Sequence, residues 1–159
     1  MTGINISEQC HVVNAIPPID SAAGAQTGAT INMENWSHAT IIVTLGACNA
    51  DAGNITLEES DTAVFTNHPE VAFKYYSEIT PLGDVLDTGP TTAVAATGID
   101  LADLDNTTYV IEFDSSEFTA GYSFIRVMAS IAGGANLISA VAILSGPRYG
   151  GYGSVSVLT

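Results

Sequence analysis

At 159 residues and 16.4 kDa, the chain suits one domain and is short for two. Its 3 basic and 17 acidic residues leave a net charge of −14, which excludes a groove for a nucleic-acid backbone and adhesion to anionic membrane. With 47% apolar and only 13% charged residues, a core forms under a surface of mostly Ser, Thr and Asn.

The first 29 residues carry little pattern. Residues 14–28 are rich in Ala, Gly, Pro and Thr and include Pro17-Pro18, so they read as turn, extended arm or linker. Glu8 to Ala15 is a candidate short strand. The domain reading is therefore an extended N-terminal arm over 1–29 and one β domain over 30–159. The arm is expected to lie on its own domain or on a neighbour. The start lacks the basic opening of a signal peptide, and no apolar run approaches a spanning helix.

From Thr30 the segments are short, β-branched and separated by turn residues. Thr30 to Met33 is the first. Thr40 to Leu45 follows, with Ile41, Val43 and Leu45 on one face and Thr40, Ile42 and Thr44 on the other. Ile55 to Glu59 alternates. Val71 to Tyr76 places Val71, Phe73 and Tyr75 together. Pro81 to Thr92 reads as a loop. At most one helical turn is expected over Ile99 to Leu104.

Tyr109 to Phe113 puts Tyr109, Ile111 and Phe113 on one side. Tyr122 to Ile131 sets Tyr122, Phe124, Arg126 and Met128 against Ser123, Ile125, Val127, Ala129 and Ile131. Gly133-Gly134 turns the chain. Ile138 to Leu144 is an apolar run suited to a strand buried mid-sheet. Ser154 to Leu158 is a last candidate edge strand. The pattern predicts an all-β, antiparallel β-sandwich, jelly-roll-like because the length suits eight strands plus an arm. An up-and-down barrel is the alternative.

Chemistry is sparse. His11, His38 and His68 lie far apart, and none has a second ligand at metal spacing. Cys10 and His11 point to opposite sides of an extended chain and form no local nucleophile–base pair. Cys10 and Cys48 read as free thiols rather than one bridge. The run Glu58-Glu59-Ser60-Asp61 is either a calcium ligand set or a solvated strand end. Asp100, Asp103 and Asp105 are spaced like part of a calcium loop that lacks its Gly and closing Glu. Sequons at Asn5, Asn35, Asn54 and Asn106 are read as chance. No glycine-rich phosphate loop is present: Gly133-Gly134 and Gly150-Gly151 lack the fingerprint. No catalytic, cofactor or metal residue is assigned, and no enzyme is expected.

The candidate interface residues are Arg126, Arg148, Tyr149, Tyr122 and Trp36. Arg126, mid-strand among aromatics, is either buried against a carboxylate or set at a subunit contact. Arg148-Tyr149 follows the most apolar strand, and each residue joins a large apolar body to hydrogen-bonding capacity. The plain alternative is an ordinary ion pair.

Residues 109–114 (YVIEFD), 121–127 (GYSFIRV) and 136–149 (NLISAVAILSGPRY) resemble small β-rich virion proteins of tailed bacteriophages, encoded with the head genes. Residues 39–46 and 55–60 share the resemblance more loosely. Its marks are the aromatic–x–Arg step from Phe124 to Arg126 and the pair Pro147-Arg148 closing an apolar strand. The resemblance implies a capsid decoration, or cement, protein: a sandwich or jelly roll, a homo-oligomer and often a trimer, bound over joints between major capsid protein subunits. The acidity favours the outer surface of the capsid, since packaged DNA would repel it. Two other roles compete: a head–tail, tail or fibre-base component of the virion, and a carbohydrate-binding module stacking sugars on Trp36, Tyr75, Tyr76, Tyr149 and Tyr152.

Overall fold

The computed structural model describes residues 5–21, 24–48, 53–78, 89–101, 105–131 and 136–148. Tyr149, Tyr152, Asp103, both glycine pairs, most of the 81–92 loop and the edge strand expected over 154–158 lie outside the described residues.

One short helix, α1 (Ile6–Gln9), precedes the strands. They run β1 (His11–Asp20), β2 (Gln26–Thr27), β3 (Ile31–Asn32), β4 (Trp36–Cys48), β5 (Gly53–Ser60) and β6 (Glu70–Val71). Then come β7 (Phe73–Glu78), β8 (Thr91–Ala93), β9 (Ile99–Asp100), β10 (Thr108–Asp114), β11 (Phe124–Ile131) and β12 (Asn136–Pro147). The fold is all-β, and two antiparallel sheets pack together. The first sheet has the order β1-β12-β4-β10-β7-β8, and the second β2-β11-β5-β6, with β3 also on β11 and β9 also on β5. No helix among the described residues is long and apolar enough to cross a membrane.

Period-two alternation builds the core. Ile41, Val43 and Leu45 of β4, Tyr109, Ile111 and Phe113 of β10, and Ile138, Ala140, Ala142 and Leu144 of β12 are all buried. Facing them from the second sheet are Ile31, Ile55, Leu57, Ile125, Val127 and Ala129, buried as completely. Each large aliphatic or aromatic side chain removed from water contributes roughly 1.5–3 kcal/mol. The long central strand β4 pairs with both β12 and β10, so it anchors the first sheet.

Several elements differ from the sequence expectation. The strand expected within 8–15 begins at His11 and runs further, to Asp20, as the edge strand of the first sheet, so this part of the arm lies on its own domain, in register with β12 from His11↔Leu144 to Asp20↔Leu137. Pro17 and Pro18 fit there because an edge strand leaves one side of its backbone unpaired, and the register shifts between Ile16 and Ile19. The strand expected over 71–76 breaks at Ala72, where the chain leaves the second sheet after β6 and enters the first as β7. Ile99 and Asp100 are a short strand on β5, not a helical turn. The turn before it needs Gly98, at φ +57: a Cβ there would sit 2.0 Å from the Ile55 carbonyl oxygen.

Candidate functional site

The outer face of the second sheet is closed by the chain itself. Arg126 of β11 stands directly opposite Glu58 of β5 in the ladder. Its Nε donates to Glu58 Oε2 at 2.6 Å. The other oxygen, Oε1, lies 3.2 Å from His68 Nδ1. The loop over 61–69 brings Phe65 onto the pair, with the guanidinium carbon 4.2 Å from the ring centroid. Phe65 is buried although its φ of +53 is unusual for a bulky residue, so the surrounding contacts hold a strained backbone in place. Of the two sequence readings of Arg126, burial against a carboxylate is the one observed.

The neighbouring carboxylate points the other way. Glu59 is buried and accepts from the Thr119 backbone N–H at 2.9 Å and from the Thr119 hydroxyl. Ser60 Oγ accepts from Thr62 N–H. The 58–61 run therefore sends its two glutamates to opposite faces of β5, as strand geometry requires. Among the described residues no group of three His, Cys, Asp or Glu side chains is placed to hold a metal ion.

On the first sheet, His38 of β4 sits between two carboxylates of β10. Nδ1 is 2.9 Å from Asp114 Oδ1, and Nε2 is 2.6 Å from Glu112 Oε2. The Thr40 hydroxyl also donates to Glu112 Oε2 at 2.9 Å. Register explains the cluster, since Asp114 pairs with His38 and Glu112 with Thr40. Partial burial by itself pulls the His38 pKa down. The bonds and charges of Asp114 and Glu112 more than reverse that, so the imidazole titrates above its ordinary 6.5.

Tyr122 and Arg148 are brought together around a depression of about 220 Å³, which Met33 and Glu34 also line. The Tyr122 hydroxyl accepts from Asn67 Nδ2 at 2.6 Å. Arg148 is exposed, and its backbone N–H donates to Asn35 O. Trp36 is half-buried against the core, with His11 at 6.0 Å between ring centroids. Tyr75 is likewise packed, edge-on to Tyr109 at 5.8 Å. Arg126 lies apart, on the second sheet's outer face.

Both cysteines are free thiols. Burial, and then the Asp105 charge, push the Cys48 thiol up, away from the reactive thiolate. The Tyr109 hydroxyl is buried with no hydrogen-bond partner, and burial pushes its pKa up to about 12. That orphaned hydroxyl was invisible in the sequence, where Tyr109 reads simply as an inward aromatic.

A larger feature also escaped the sequence reading. The strand over 138–144 lies mid-sheet as expected, between β1 and β4, but only one of its faces is buried. Its outward side chains join an apolar strip in ladder register. One row is Asn14, Val141, Ile42, Val110 and Tyr76; the adjacent row starts apolar with Val12 and Ile143 and then runs through Thr40 to Glu112 and Lys74. Val12 is 53% exposed, Leu137 48% and Val141 37%. Apolar depressions flank the strip. One of about 510 Å³ runs between α1 and β12, lined by Ile6, Cys10, Thr40 and Ile143. The other, about 490 Å³, is lined by Ile19, Leu45 and Leu137. The signal was present in the sequence: outward positions 137, 141 and 143 are apolar as well as the inward ones.

No family model, curated protein or solved structure matches this chain.

Proposed function

We propose that this chain is a non-enzymatic structural virion protein that binds the outer surface of a phage head and stabilises contacts between major capsid protein subunits. In this reading it self-associates, with a trimer as the expected form. The observation that carries it is the wiring of the strands. The pairs β1·β12, β2·β11, β4·β10 and β5·β6 join first with last and work inward along the chain. Successive pairs fall on alternate sheets, as when one long antiparallel hairpin is rolled up. With β7, β8 and β9 taken as an insertion, that wiring supports a jelly roll, the fold which the sequence resemblance implies. The resembling segments supply β10, β11 and β12.

Fold alone carries no function. The bare apolar strip adds support, because a face of this kind suits contact between proteins better than a reaction. The histidines add to it: each is held by an aromatic ring or a carboxylate of its own chain. A head–tail or fibre-base role would share all of this. A carbohydrate-binding role draws less support, since Trp36 and Tyr75 are packed against the core.

The test is cosedimentation of the purified chain with shells assembled from the major capsid protein of the same genome. Saturable binding is expected. A chain that leaves such shells in the pellet alone, at every concentration, refutes the reading.

A further inference from the structure

We infer that residues 61–69 form a strap that lifts from the second sheet on its own, while both sheets stay closed, and that Phe65 is the latch holding it down. This device depends neither on shell binding nor on self-association.

The strap is the connection from β5 to β6, folded back over the outer face. Both of its roots are tied to β5. Thr62 N–H donates to Ser60 Oγ at 3.2 Å, and Pro69 O accepts from Glu59 N–H at 3.0 Å. A loop whose ends are fixed close together moves between them without disturbing the strands that it joins.

Between the roots little is buried. Phe65 is the one buried residue of 61–69, and Val64 beside it is 82% exposed. The Phe65 ring lies on the Arg126 guanidinium. Asn67 and His68 add contacts to the Tyr122 hydroxyl and to Glu58 Oε1, but both residues are exposed, so water replaces those contacts when the strap lifts. Phe65 also sits at φ +53, and lifting releases that strained backbone. A single ring, with part of its gain offset by strain, therefore holds the strap.

The layer beneath does not depend on it. β5 and β11 pair without interruption from Phe124↔Ser60 to Ile131↔Gly53, and Ile55, Leu57, Ile125 and Val127 face the core, away from the strap. The Arg126–Glu58 bond lies within that ladder and survives the opening. Access is what changes. The closed strap hides one of the few cations of a chain whose only Lys and Arg are Lys74, Arg126 and Arg148. The open strap presents that guanidinium to solvent.

The chain's two arginines supply the test. Phenylglyoxal labels accessible guanidinium groups, and mass spectrometry reads Arg126 and Arg148 separately, with the exposed Arg148 as internal control. In the wild type, Arg126 is expected to label slowly, with a urea dependence much shallower than that of global unfolding, because lifting the strap exposes little surface. Phe65→Gly removes the latch and the strain together. It is expected to speed Arg126 labelling by about tenfold or more, with Arg148 unchanged and circular dichroism like that of the wild type. Should Phe65→Gly not fold, the wild-type urea series decides by itself. An Arg126 that labels only as the whole chain unfolds overturns the inference. So does a folded Phe65→Gly in which Arg126 labels no faster, and so does a wild-type Arg126 that labels as fast as Arg148.

Discussion

The two sheets treat their outer faces in opposite ways. On the second sheet the chain spends a loop, residues 61–69, to cover Arg126 and Glu58 with Phe65 and His68. On the first sheet no described residue covers the middle rows around Val141 and Ile42. The covered face holds a charged pair, and the open face holds one apolar row beside the charges of Lys74, Glu112 and Asp114. A charged pair taken out of water persists when its partners are fixed around it.

The contrast breaks most readily at the covered face. Arg126→Ala leaves the Glu58 carboxylate buried with only His68 beside it, and a loss of about 3 kcal/mol of unfolding free energy is expected. Urea unfolding reads it. A loss no larger than that of an ordinary surface change would mean that water reaches Glu58 freely.

The next effect belongs to His38, at the charged end of the open face. Its folded-state pKa lies above that of the unfolded chain, so its contribution is complete below pH 6.5 and is lost as pH climbs through the raised value. Stability should therefore fall as pH rises above 6.5 and through the raised value. The partners are partly exposed and screened by solvent, which keeps the effect under about 1 kcal/mol. Midpoints of urea unfolding across that range should slope for the wild type and flatten for His38→Gln. Equal slopes would remove His38 from the account.

The smallest effect sharpens the comparison most. Val141→Ser, on the bare strip, should change monomer stability by no more than about 0.5 kcal/mol at dilutions where the chain does not associate. A loss of several kcal/mol would mean that the strip is already covered within one copy.

Much of this architecture was legible in the sequence. The inward sets on β4, β10 and β11 follow from alternation alone, and the structure buries Ile41, Val43, Tyr109, Ile111, Ile125 and Val127. Three features were not legible, and each depends on contacts between distant segments. Nothing local to 71–76 marks Ala72 as the crossing between sheets. Arg126 faced two outcomes until ladder register set it opposite Glu58. Trp36 and Tyr122 were grouped with Arg126 as interface candidates, but the fold places Tyr122 and Arg148 around one depression and Arg126 on a different face.

The sequence by itself determined that this chain is built of strands and which side chains of each strand turn inward, because successive residues of an extended backbone alternate sides without reference to anything else. Only the tertiary structure decided which outward face would be roofed and which left bare. That choice rests on where a loop some sixty residues from Arg126 comes down, and on which ladder each strand joins. Neither is encoded in any short window of the chain.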